Sequence, residues 1–560
     1  MIETHMFIIV VLTYLAVVIG IGVWRSRGVK SQEDFMVAGR SVPAWLLVGT
    51  LVCTWIGAGS LLGGGGRAFR EGFSQLWMSG GAWLAIIIIF FLADRVRRIS
   101  QYTVQDLLER RYHPAARVLG AIVVILGSTT IFSYQLRGGA FVLEYMLMWP
   151  QQWGVLITAV VIILLTIFAG LRSIVAIDVV NGVLIILAII IGLPLMLAIV
   201  GGGDIGSGVQ HVTETLPPEH FSLFGTQDQT EGGGTDPVLG LIWAMGVFFP
   251  TFFLLLGESS IYQKFYSAKD ERSARQAVIG FFIGVVLIEI ALAAFAVVSS
   301  SHDDADAWRR GLAAYEQAEE AALTPEQKRE NWNTFVAAIQ PEGIEVPQRP
   351  EGDAEALAAA ARLYRTRTDS INLFSAFRLL PFWAGALLLA GGMAIILSTG
   401  NSFMMAASTA LTRDIWQRFL RPRAKQREII WVQRATMIVL AAAAVSMLTV
   451  FTTVWQMALA AYTVIGAGLT PVILAAFLWK RVTPAGGVAS VAAGLITWAV
   501  FVGLILTGVL EMDFDYIIYP AAGASIFFLV AVSLVTRPSP PEVYRQFVGG
   551  AEEAGSSEGS

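Results

Sequence analysis

Apolar runs of about 20 residues recur along the whole chain, separated by short polar breaks that carry glycine, proline or charge. Each run is as long as an α-helix needs to be to cross a hydrocarbon core about 30 Å thick. The pattern predicts helices near residues 6–24, 43–66, 74–94, 116–148, 152–171, 178–200 and 236–258, then 276–299, 380–412, 428–450, 454–479, 484–509 and 516–536. The expected fold is therefore an all-α polytopic membrane protein with about thirteen transmembrane helices. One polar insert interrupts it at 300–378. Its stretches AWRRGLAAYEQAEEAAL and DAEALAAAARLYRTR have the spacing of amphipathic helices and are expected to lie over the outer mouth. The Pro-, Glu-, Gly- and Ser-rich tail after Thr536 reads as disordered.

Two spans differ from plain Leu/Ile/Val/Ala runs. The second reads LVCTWIGAGSLLGGGG and holds Gly57, Gly59 and Gly63 to Gly66; the seventh holds Gly246, Pro250 and Gly257. Glycine and proline weaken a membrane helix and free backbone groups that something else must satisfy. With 1–25 taken as an extra N-terminal helix, these two spans open two five-helix halves. The halves are 26–200 and 236–479, the second containing the 300–378 insert, and an extracellular loop at 201–235 separates them. Two C-terminal helices at 480–536 and a cytoplasmic tail at 537–560 complete the plan. An odd number of helices per half inserts the halves in opposite orientation, an inverted repeat with discontinuous first helices.

Composition agrees with the membrane reading: 55% of the 560 residues are hydrophobic and 14% charged, too little charge to cover a soluble surface. The N-terminus has no basic n-region, so 6–24 reads as a retained span. A net charge of −4 with basic residues confined to short loops gives nucleic acid nothing to bind. Those loops, including the one with Lys264, Lys269, Arg272 and Arg275, put the N-terminus outside and the C-terminus in the cytoplasm of a bacterial-type inner membrane. Cys53 is the single cysteine, and the five histidines show no ligand spacing; metal catalysis has no basis. No nucleophile–base set stands out, so an enzyme is disfavoured. No obligate protein partner is evident.

The ninth span carries a hydroxyl cluster, Ser398, Thr399, Asn401 and Ser402, with Ser398 and Ser402 on one face. Opposite a broken helix, such oxygens suit a hard monovalent cation. Ionisable residues at membrane depth are costly and usually functional; here they are Arg137, Glu144, Asp178, Glu258 and Glu289. The Arg137 guanidinium offers a fork for a solute carboxylate, or pairs internally with Glu144, Glu258 or Glu289. Aromatic walls for a small solute could come from Trp55, Trp77, Phe132, Tyr134, Trp243, Phe248, Phe249 and Tyr462. The candidate solute site is Trp55, Ser60, Phe132, Gln135, Arg137, Trp243, Phe249 and Tyr462.

Four passages carry a resemblance: VKSQEDFMVAGRSVPAW at 29–45, GLRSIVAIDVVNGVLIILAIIIGLP at 170–194, YQKFYSAKDERSARQA at 262–277 and LSTGNSFMMAASTALTRDI at 397–415. In this order they resemble the sodium:solute symporter family, which includes proline, pantothenate, glucose, sialic acid and choline carriers, over roughly 6–510. The resemblance implies Na+ as co-transported ion. It implies a main sodium site formed by the carbonyls of Cys53, Ile56 and Ile395 and the hydroxyls of Ser398 and Thr399. It also implies, as in some members, a second sodium at Asp178, Asn401 and Ser402. The chain departs from the family's usual residues at Asn401 and Trp55, which puts that second ion in question. The expected partners are sodium, a small organic solute and the bilayer. Through Arg137 the solute reads as carboxylate-bearing. Proton coupling on the same fold, a choline-type amine carrier and, remotely, a membrane sensor are the alternatives.

Overall fold

In a computed structural model of the chain, residues 2–26, 31–99, 101–147, 149–224, 237–319, 324–339, 347–451 and 453–548 are described. Among them the protein is helical throughout, with one isolated bridge, Val42 to Ala268, in place of any strand. Among the described residues, eleven helices are long and apolar enough to cross a membrane. That is short of the thirteen expected. The other two predicted spans correspond to shorter apolar helices, Ala44–Trp55 and Gln151–Ile167.

The first shortfall is the broken helix itself. Ala44–Trp55 ends at Ile56 (φ −71°, ψ 112°), and the chain resumes through a widened π-type turn, Gly59–Gly64, before Gly65–Glu71. The second break falls at Glu258 (φ −73°, ψ 111°), between Pro237–Gly257 and Ser259–Ser267. The two breaks thus share one backbone turn. Pro250, which the sequence suggested as a breaking point, lies inside the continuous helix.

The spans predicted at 152–171 and 178–200 run as one kinked helix, Gln151–Val200. The kink is at Gly170 (φ +54°), where a Cβ would lie 2.8 Å from the Phe35 carbonyl oxygen. Only glycine fits that left-handed, crowded position.

The insert forms helices Asp303–Glu319, Pro325–Ile339 and Asp353–Thr368, which pack on one another and on Gly65–Glu71. Trp308 bridges to Phe374 (4.6 Å between rings) and Phe69 (6.0 Å). Gly66 passes so close to the insert's end that a Cβ would meet the Asp369 Cα at 2.7 Å.

The disorder expected after Thr536 does not hold for 537–548. Pro541–Val548 is helical, with Phe547 buried against Phe477. Residues 549–560 of the tail and 225–236 of the 201–235 loop lie outside the described residues.

Candidate functional site

The break at Ile56 leaves carbonyls and amides without helical partners, and facing helices supply them. The Ala58 amide donates to Gln135 Oε1 (2.9 Å). The Leu61 carbonyl accepts from Asn372 Nδ2 (2.9 Å). The Thr399 hydroxyl, on Phe382–Thr409, donates to the carbonyls of Ile56 (2.7 Å) and Cys53 (3.1 Å). Three of the five residues expected around sodium therefore touch. Ile395 lies one turn before Thr399, buried on the same helix. Ser398 donates its proton to Asp178 Oδ1 (2.5 Å). All five are fully or nearly fully buried.

One turn deeper lies a group that motif reading placed elsewhere. Lys264 is buried in the bundle, its side chain 1% exposed, and does not belong to the cytoplasmic loop charges. Every residue of its helix, Ser259–Ser267, is buried. Its Nζ donates to the Thr50 carbonyl (3.0 Å), Thr50 Oγ1 (2.8 Å), Ser402 Oγ (3.2 Å) and Thr54 Oγ1, and lies 3.6 Å from Asp178 Oδ2. The same carboxylate oxygen accepts from the Thr50 hydroxyl. Two of the residues named for a second sodium, Asp178 and Ser402, meet here around an ammonium. The third, Asn401, does not. It sits about 100° further round the helix and accepts from Thr166 Oγ1 (2.9 Å).

Beside the break is a small pocket whose lining includes Trp55, Ser60, Tyr134, Glu289, Thr399 and Tyr462. Glu289 accepts from the indoles of Trp55 (3.0 Å) and Trp83 (2.8 Å), and the Tyr134 and Tyr462 hydroxyls are 3.2 Å apart. Among the described residues, no lysine or arginine is in the lining. A larger pocket lies between Gln151–Val200 and Phe382–Thr409, and among the described residues its lining has no ionisable side chain.

Of the eight residues expected around the solute, Trp55, Ser60 and Tyr462 line the cavity, and the other five stand apart from it. Gln135 caps the broken helix. Arg137 donates to the Leu448 (3.0 Å) and Phe451 (3.1 Å) carbonyls at the end of Gln426–Met447. Glu144, a suggested partner for it, pairs instead with Arg367 at 2.9 Å. Trp243 packs on the Arg67 guanidinium (4.9 Å). Phe249 belongs to an aromatic cluster with Phe252, Phe253 and Tyr519. Phe132 is buried in the main core. Apart from Gln135, each of the five is aromatic or charged at membrane depth, and packing or a carbonyl absorbs it.

Sequence reasoning passed over Thr50, Thr54, Trp83 and Lys264 as site residues. The signal for Thr50 and Thr54 was available, since i and i+4 place both hydroxyls on one face of the half-helix that ends at the break.

The sequence model of the Sodium:solute symporter family matches residues 35–304 and 355–494. The osmoregulated proline transporter OpuE of Bacillus subtilis is 22% identical over 548 residues, covering 95% of this chain and 96% of that protein. The sodium/pantothenate symporter of Escherichia coli is 26% identical, covering 89% and 90%. A Na+-coupled sialic acid symporter, solved substrate-bound and outward-open, shares the fold with a TM-score of 0.68 at 14% identity, covering 95% of this chain and 98% of that one. A broken helix braced by a threonine from a hydroxyl-rich partner is thus set in a chain matched along most of its length. The protein is a sodium-coupled membrane transporter, not an enzyme, and belongs to the sodium:solute symporter family.

Proposed function

We propose that this symporter imports a small organic solute carrying an amino or ammonium group, held by Glu289 in the cavity beside the broken helix. The observation that carries this reading is a buried carboxylate in a lining of indoles, phenols and hydroxyls with no basic side chain. Carboxylate and aromatic faces together favour a cation. A solute defined by a carboxylate alone has lost its support, because Arg137 is engaged with carbonyls at the end of another helix. A zwitterion remains suited to the site. Its carboxylate can lie at the positive end of the half-helix that resumes after Ile56, and its ammonium at Glu289. Two relatives are named for proline, which has such an ammonium group.

Sodium in this reading binds the carbonyls of Cys53, Ile56 and Ile395 and the hydroxyls of Ser398 and Thr399. It joins the half-helix to Phe382–Thr409 and fixes the wall against which the solute rests. The repeats 26–200 and 236–479 then rock about that point, with the N-terminus outside and the C-terminus in the cytoplasm of an inner membrane. One charge crossing 100 mV contributes about 2.3 kcal/mol, roughly 50-fold accumulation.

The test is uptake into proteoliposomes of labelled proline, choline, pantothenate, glucose and sialic acid, with and without a sodium gradient. Sodium-dependent uptake of an amine-bearing compound, reduced at least tenfold in Glu289→Gln, is expected. Uptake of pantothenate or glucose alone, or indifference to Glu289→Gln, would refute the solute class.

A further inference from the structure

We infer that Lys264 is a built-in cation that fills the second cation position of this site and limits the protein to one sodium ion per chain. The inference rests on the main-site reading above.

The oxygens around Nζ are a backbone carbonyl, three hydroxyls and a carboxylate, drawn from Ala44–Trp55, Gln151–Val200 and Phe382–Thr409. That is the donor set a hard monovalent ion takes. An ammonium uses it at somewhat longer range, as the 2.8–3.2 Å hydrogen bonds to the Thr50 carbonyl, Thr50 Oγ1 and Ser402 Oγ do.

Charge makes the substitution exclusive. Asp178 and Lys264, with side chains 0% and 1% exposed, neutralise each other. A second sodium here would set two positive charges against one carboxylate in the dry interior, where repulsion is poorly screened.

The lysine is also anchored. Its helix begins at the Glu258 break and ends where the Val42 amide donates to the Ser267 carbonyl (3.1 Å) and the Lys269 amide to the Val42 carbonyl (2.8 Å). The segment leading into the broken helix therefore holds the helix that carries the charge. This cation stays with the protein through the cycle and carries nothing down the sodium gradient.

The experiment is equilibrium binding of 22Na+ to the purified full-length protein, read as ions per chain at saturation and as a Hill coefficient. Wild type should bind one ion with a Hill coefficient of about 1. Lys264→Ala, which removes the charge and opens the space, should bind two, and Lys264→Arg should return to one. Two ions on wild type would overturn the inference and leave the main site standing. One ion on a Lys264→Ala protein with wild-type thermal stability would overturn it as well. No ion on wild type would overturn the main-site reading and this inference with it. Where Lys264→Ala fails to purify, Lys264→Ser, which also removes the charge and opens the space, is counted in its place with the same two outcomes.

Discussion

Thr399→Ala removes a hydroxyl that holds the two carbonyls at the break, 2.7 Å from Ile56 O and 3.1 Å from Cys53 O. In the sodium site proposed above, the same oxygen turns its lone pairs to the ion as one of five ligands. A hydrogen bond or dipole directed at a charged group contributes about 1.5–3 kcal/mol, and each 1.4 kcal/mol is tenfold in an equilibrium constant. The sodium concentration for half-maximal binding should therefore rise roughly 10- to 150-fold in Thr399→Ala, while capacity at saturating sodium is retained. Thr399→Ser keeps the oxygen and should stay within about threefold of wild type, since only a methyl group is lost. The assay is a sodium titration of 22Na+ binding, with the thermal midpoint measured alongside to confirm folding. A half-saturation in Thr399→Ala within twofold of wild type would refute the assignment of this hydroxyl to the ion.

Three further perturbations follow from the charge clusters at the two ends of the molecule. Burial pushes the Asp369 carboxyl, outside the spans and 3.6 Å from Arg70, up from 3.8 to about 6. Its contribution to stability is thus full below pH 4 and lost as pH rises through 6. Asp369→Asn should match wild type in thermal unfolding at pH 4 and gain up to about 3 kcal/mol by pH 8; an advantage independent of pH would refute this. Arg67 sits between the Trp243 and Trp455 rings (4.9 and 4.4 Å) and bonds Glu71 (2.7 Å) and Asp515 (3.3 Å). Arg67→Ala should cost about 3–5 kcal/mol by leaving Asp515 buried and unpaired, and Arg67→Lys less, without restoring wild-type stability; a Lys variant melting with wild type would contradict the stacking argument. Arg117 joins Asp106 (2.9 Å), Glu109 (2.6 Å) and Asp414 (2.6 Å). Arg117→Gln should therefore destabilise strongly and Asp414→Asn in that background recover more than about 1 kcal/mol, whereas strict additivity in the double-mutant cycle would show the cluster uncoupled.

Much of the architecture is written in the hydrophobic runs, because a membrane demands length and apolarity from every crossing helix. The break at Ile56 was legible from its glycines. The one at Glu258 follows directly on Gly257, one of the three weak positions read in that span, while Pro250 does not interrupt its helix. The contact of Thr399 with Cys53 and Ile56 followed the resemblance. Arg137, Trp243 and Phe249 stand apart from the pocket for a common reason. Residue type and depth say that a side chain needs a partner, while helix rotation decides which partner it meets. Lys264 was misread because it lies five residues before Lys269, and a charge count along the sequence treats the two alike. Lys264 lies inside a short helix buried on all sides, and Lys269 lies exposed beyond its end.

Asp178 connects the proposed sodium position to the ammonium of Lys264. Its Oδ1 accepts the Ser398 proton and its Oδ2 accepts from Thr50 and faces Lys264. A hydroxyl that ligates an ion through a lone pair needs somewhere to send its proton, and a carboxylate is the best acceptor available. In the proposed sodium site Ser398 is therefore already arranged as a ligand. Thr399, whose proton lies on the carbonyls of the break, has to rotate when the ion arrives. The same geometry lets Lys264 act on the main site without touching it. By drawing on one oxygen of Asp178, the ammonium limits how strongly the other polarises Ser398. Removing the lysine should then have two separable effects, an added sodium position and an altered affinity at the first. A count of ions at saturation reads the former, and a titration at low sodium reads the latter.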